Sequence, residues 1–161
     1  MATSQQKSEM RLQVRRVFAA PREKVYRAWI ERQALEQWMC RDVPTQRAKY
    51  LELEVKTGGH YVMEVTDAAS GEVYLGQGTF REVTPPEKLV FTWAWQKRQG
   101  DGSLTPLEAE TQVTAEFREQ GNSTEVLLTH EFIQTEKAAK ATEAGWKGCF
   151  DMLERYLWNI G

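Results

Sequence analysis

The chain carries two histidines and two cysteines in 161 residues. Any metal or acid–base chemistry must therefore be assembled from His60, His130, Cys40, Cys149 and the carboxylates near them. His60 stands at a turn, in the stretch TGGH, and no second ligand lies at helical spacing from it, so no metal site is expected. His130, in STEVLLTHEF, alternates in phase with Val126, Leu128 and Phe132 and out of phase with Glu125, Thr129 and Glu131. A strand with that pattern turns His130 inward. There it is either a buried histidine bonded to a neighbour or a polar contact inside a ligand pocket. Cys40 and Cys149 have neither metal nor redox spacing and are read as buried free thiols. Glu52, Glu54 and Glu64 invite an acid–base reading, but Glu52 and Glu54 oppose Leu51, Leu53 and Val55 in AKYLELEV and should be solvated. Glu64 lies on the side of His60 and Val62. The sequence has no nucleophile elbow or phosphate loop, and GQG at 76–78 is too short for a dinucleotide fingerprint. No catalytic residue, cofactor or metal is expected.

Aromatic side chains are the richer signal, at 11% of the chain with six tryptophans. A net charge of −2 gives no basic field for nucleic acid, and no apolar run approaches the ~20 residues that span a bilayer. MATSQQKSEM lacks an apolar signal core and is expected to be a flexible leader over 1–10, which points to the cytoplasm.

The elements that must hold these residues follow from hydrophobic period. RLQVRRVF (11–18) alternates as a half-buried strand. APREKVYRAWIERQALEQWM then runs helical with a break near Glu31, giving two short helices at about 21–30 and 31–39. From 48 onward the period is two: strands at 48–55, 60–67, 72–83 and 88–96, then, after a polar loop at 97–106, two more around the turn QGN. Gly76 and Gly78 suggest a bulge or sharp curvature. Residues 136–160 form one long helix whose apolar face is thick at its C-terminal half (Trp146, Cys149, Phe150, Leu153, Leu157, Ile160) and thin before it (Ala138, Ala141, Thr142, Gly145). Tight turns between successive strands impose antiparallel pairing, and a sheet this long curls. The expected architecture is α+β, with a curved antiparallel sheet of about six to seven strands wrapped around the C-terminal helix. It forms a single domain over 11–160, and the two short helices close one end.

In that order the pieces RVFAAPREKVYRAWIERQALEQWM, LELEVKTGGHYVMEV, GTFREVTPPEKLVFTWAW, TQVTAEFREQGNSTEVLLTHEF and GWKGCFDMLERYL resemble the activator of heat-shock-protein-90 ATPase-like family. This family sits within the SRPBCC or START-like (birch-pollen-allergen-like) helix-grip superfamily. The resemblance covers about residues 11 to 158 and implies the helix-grip fold. It also implies two kinds of role, a co-chaperone domain or a small-ligand carrier.

The thin half of the long helix and the converging aromatics predict a mainly apolar cavity beneath it. Its expected lining is Trp38, Tyr61, Met63, Phe91, Trp93, His130, Gly145, Trp146 and Cys149. Trp93 and Tyr61 would be walls, His130 an orienting hydrogen bond, and Gly145 the source of space. The expected partner is a small hydrophobic molecule, bound without catalysis. Two other classes stand beside it: a chaperone or other protein bound on the outer surface, and a cyclase- or hydrolase-like enzyme using His130 with Tyr61 or Glu64.

Overall fold

The computed structural model describes residues 9–161. The leader expected over 1–10 therefore lies outside the described residues, apart from Glu9 and Met10, and the first strand already begins at Met10. In chain order the elements are β1 (Met10–Phe18), α1 (Arg22–Ala28), α2 (Arg32–Trp38), β2 (Gln46–Leu53), β3 (His60–Asp67), β4 (Val73–Thr84) and β5 (Lys88–Arg98). Then come β6 (Leu104–Pro106), β7 (Thr111–Gln120), β8 (Ser123–Ile133) and α3 (Glu136–Ile160). The strands make one antiparallel sheet in the order β1-β8-β7-β5-β4-β3-β2, with β6 attached to β5. This is the expected α+β helix-grip arrangement with one strand more than foreseen. The polar segment after Gln96 extends β5 to Arg98 and folds back as the three-residue β6.

Both short helices stand where the sequence breaks them. Pro21 is the N-cap of α1 rather than a residue of its first turn. Trp29 ends that helix, and Glu31 caps α2. Trp29 is the hinge of the aromatic core, with its ring 4.9 Å from Trp38, 5.6 Å from Phe117 and 6.0 Å from Trp146. α3 begins at Thr135, whose hydroxyl accepts the Ala138 N–H at 3.0 Å, a cap worth about 1 kcal/mol. Its C-terminal half seals against β1, where Phe150 meets Phe18 edge-on at 5.5 Å. Ile160, placed on this face by its spacing, is 48% exposed, and the buried stripe ends at Leu157.

Three local expectations change. In β2 the pairing with β3 slips between Tyr50 and Glu52, so the chain changes face: Ala48 and Tyr50 are buried and Leu51 is 44% exposed. A bulge shifts a period-two pattern by one residue, which is why simple alternation misassigned Leu51. Gly76 is paired on both sides, Gly78 is paired with Tyr61 of β3 but has no partner on β5, and the β4 register shift falls between Phe80 and Glu82. The glycines serve close approach instead. A Cβ on Gly78 would lie 1.9 Å from the Thr92 carbonyl oxygen, and one on Gly76 would press on Met63 and Trp95 at 3.3 Å. At the end of β8, Phe132 has a left-handed backbone (φ 69°) and turns outward, leaving Ile133 buried in its stead. None of the described helices is long and apolar enough to cross a membrane.

Candidate functional site

The small residues at the start of α3 keep it from filling the space over the sheet. Ala138, Ala141, Thr142 and Gly145 face a cavity of about 410 Å³. A Cβ built on Gly145 meets nothing within 4 Å. The cavity's buried wall includes Val65 of β3, Trp93 of β5, Thr111 of β7, His130 of β8 and Trp146 and Cys149 of α3. Trp95, half-buried, adds a third indole.

Two loops form the mouth. One follows α2. Arg32 of that helix bonds the Tyr50 carbonyl, and the Glu36 carboxylate accepts the Tyr50 N–H at 2.8 Å. Helix and bulged strand are thereby tied together, and the chain leaves α2 in a fixed direction. Cys40 then takes a left-handed conformation (φ 54°), and its N–H donates to the Cys149 sulfur at 3.2 Å. This docks Cys40, Asp42 and Val43 beside α3. Asp42 packs so closely that a Cβ on Gly148 would come within 2.6 Å of its own Cβ. Gly148, outside the apolar stripe of α3, is thus a contact point for this loop. The other loop follows β6, where the Leu107 N–H donates to the Trp95 carbonyl at 3.0 Å and places Leu107 and Glu108 at the rim.

The polar chemistry of the wall is a directed chain. An indole N–H only donates, so the 3.0 Å bond from Trp146 Nε1 to His130 Nδ1 makes that nitrogen an acceptor and the ring neutral. The proton is then on Nε2, which donates to Thr111 Oγ1 at 2.8 Å. Thr111 passes its own hydrogen to the Trp93 carbonyl at 3.1 Å. Burial holds the His130 pKa down at about 4, consistent with a neutral ring. Cys149 is equally settled: the neighbouring Cys40 side chain, then burial, push its thiol well above the ordinary range.

A family model described as "Activator of Hsp90 ATPase homolog 1-like protein" matches residues 19–158. The chain belongs to that family. Solved structures agree on the fold. A protein of Chromobacterium violaceum superposes with a TM-score of 0.76 at 23% identity, over 90% of this chain and 94% of its own. One from Rhizobium leguminosarum gives 0.76 at 20% identity, over 94% and 96%. An AHSA1-like protein from Aeromonas hydrophila gives 0.75 at 20%, over 94% of each chain. No curated protein matches the sequence.

Within this member of the family, five of the nine expected lining residues meet at the cavity: Trp93, His130, Gly145, Trp146 and Cys149. The other four point inward but lie elsewhere. Trp38 is fully buried under Trp29 and donates to the Ala28 carbonyl at 2.8 Å. Tyr61 and Phe91 surround a separate void of only about 20 Å³. The Tyr61 hydroxyl donates to the Thr92 carbonyl at 2.6 Å, and burial raises its pKa well above normal. Met63 packs beneath Gly76. His130 lines the cavity with both nitrogens already engaged, so its part is to fix Trp146 and Thr111 rather than to orient a ligand by itself. Glu64 is ion-paired with Arg98 at 3.1 Å and is not among the cavity's lining residues. His60 is on the surface beside Glu52 and Glu54. Among the described residues no group of three His, Cys, Asp or Glu side chains could hold a metal.

Several lining residues had no place in the sequence expectation. Thr111 is detectable only through pairing, because β7 sets it opposite Trp93. Trp95 is the partial exception: strand parity places it on the face of Trp93 as a candidate cavity wall, though it is not among the nine expected residues. Asp42, Val43, Leu107 and Glu108 belong to loops, where no periodicity reports direction.

Proposed function

We propose that this domain binds a small, mainly apolar molecule, without catalysis, in the cavity between the sheet and the N-terminal half of α3. The carrying observation is Gly145: mid-helix glycine costs about 1 kcal/mol relative to alanine, and here it faces open space rather than a tight contact. A volume of about 410 Å³ falls in the usual small-molecule range of roughly 300–1,000 Å³. The walls supply indole faces and methyl groups, and the buried polar atoms of Trp146, His130 and Thr111 are bonded to one another. The two partners that an acid–base reading would give His130 are engaged elsewhere: the Tyr61 hydroxyl serves Thr92, and Glu64 serves Arg98. Native mass spectrometry of freshly purified protein should reveal a retained small molecule. Apolar compounds should produce saturable changes in tryptophan emission from Trp93, Trp95 and Trp146, together with a rise in Tm. A broad panel giving neither response would remove this reading.

A second reading follows from the family description and a different surface. Trp158 is 82% exposed in the last turn of α3, and an exposed indole is the kind of side chain that anchors protein contacts. If that end contacts a chaperone, the domain will stimulate an Hsp90-type ATPase and Trp158→Ser will abolish the effect. Unchanged ATPase rates with the intact domain would dismiss it.

A further inference from the structure

We infer that the cavity selects a cationic amphiphile, an amine or quaternary ammonium on an apolar body, over its neutral and anionic counterparts. This rests on the ligand-binding reading above and specifies its ligand class.

No lysine or arginine lines the cavity, whereas two carboxylates do, Asp42 on the loop after α2 and Glu108 on the loop after β6. Both are exposed, and neither belongs to an ion pair among the described residues. Asp42 has only a long contact from the Cys149 thiol, at 3.7 Å. Its chain neighbour Arg41 is engaged with the Glu36 carbonyl at 3.3 Å rather than with the carboxylate. His130 brings no positive charge, since its Nδ1 accepts from Trp146.

The apolar walls point the same way. Trp93, Trp95 and Trp146 present three indoles to one space, with Trp93 and Trp146 edge-to-face at 5.9 Å. Indole is the best aromatic partner for a cation over its face, and the attraction grows as water is excluded. An anionic head group would find two carboxylates at the mouth and no compensating donor charge, an arrangement that discriminates by repulsion as well as attraction. Gln46 and Thr142, also in the lining, add uncharged polar contacts. Because the carboxylates are exposed, salt screens their effect, and the preference should be moderate.

The test is isothermal titration with three compounds on one naphthalene body: naphthyl-ethylamine, naphthyl-ethanol and naphthaleneacetate, the anion of naphthylacetic acid. At neutral pH and low ionic strength the amine should bind about threefold to thirtyfold tighter than the alcohol, from two exposed charge contacts and one cation–π contact. The acetate should bind weakest. The amine-to-alcohol ratio should shrink in high salt and fall toward one in the Asp42→Asn, Glu108→Gln double variant. Glu23→Gln, on the far helix α1, should leave the ratio as it is. An alcohol or acetate that binds as well as the amine overturns the charge preference while leaving the cavity reading intact. If none of the three binds or raises Tm, the cavity reading fails and the inference falls with it.

Discussion

Gly145→Leu places an isobutyl group where the structure leaves space, and its effect can be worked out in two parts. Replacing a mid-helix glycine by a good helix former gains up to about 1 kcal/mol. The four added carbons would gain roughly 3 kcal/mol if fully buried, at ~0.8 kcal/mol each. The cavity has an open mouth, so about half that burial, near 1.5 kcal/mol, is a fair expectation. Together these give stabilisation of about 2–2.5 kcal/mol, and at roughly 2–4 °C per kcal/mol in a chain of this size Tm should rise by about 4–10 °C. The same side chain occupies volume a ligand needs, so affinity should drop at least about tenfold, or 1.4 kcal/mol. Three residues along the same helix the sign reverses. Gly148→Ala drives a Cβ to 2.6 Å from Asp42 Cβ, an overlap costing about 1–3 kcal/mol, which cancels or exceeds the propensity gain. The assay is thermal denaturation of both variants beside ligand titration. A Gly145→Leu protein that melts below wild type would mean α3 sits flush on the sheet, and the reasoning would be wrong. One that melts higher but binds ligand unchanged would place the ligand elsewhere.

Other consequences are shorter to state. His130 is held neutral with a pKa of about 4 against an ordinary value of 6.5, so the unfolded chain binds the extra proton between those values. Its contribution of roughly 3 kcal/mol is complete above about pH 6.5 and lost as pH falls toward 4, and urea unfolding across this window should show a slope that His130→Gln removes. Tyr61→Phe leaves the buried Thr92 carbonyl without the 2.6 Å hydroxyl bond and should cost about 1–2 kcal/mol, with ligand affinity unaffected because Tyr61 is outside the cavity. A matching loss of affinity would contradict that placement. Cys149, with its thiol pKa pushed up, should alkylate slowly near pH 7.5 in the native state and rapidly only after unfolding. Mass mapping of iodoacetamide adducts would show the contrary if the site were open and ionised.

How far the sequence reported its own site depends on which physical signal each residue carries. α3 was legible to its ends, Glu136 and Ile160, since a long amphipathic period averages over many residues. His130 was legible because it stays in phase with Val126 and Leu128 along an unbroken stretch of β8, even though Leu127 and Thr129 on the other face are buried too. Its bonding was not, because Trp146 and Thr111 reach it from other elements. Leu51 and Phe132 were misread where a bulge and a left-handed residue break the alternation. A one-residue slip reverses every later side chain, and nothing in the local composition announces it.

The aromatics show the deeper difficulty. Strand parity says which face a residue points to, and on that count Tyr61, Met63, Phe91 and Trp93 were all rightly turned inward. It does not say how far along the helix each one meets its cover. Phe91 and Trp93 are two residues apart on β5, yet only Trp93 reaches the cavity beneath Gly145; Phe91 faces the closed packing of Tyr61 and Phe80. Which level of the sheet is left open is decided by two separated facts. One is the small-residue half of α3. The other is the loop that Cys40 pins to Cys149, because it carries the mouth of the cavity to that half and to no other. The first fact is written in the helix sequence. The second needs the left-handed turn at Cys40 and the close packing of Asp42 on Gly148. The two glycines of α3 therefore do opposite jobs, one leaving the cavity open and the other letting its rim come close.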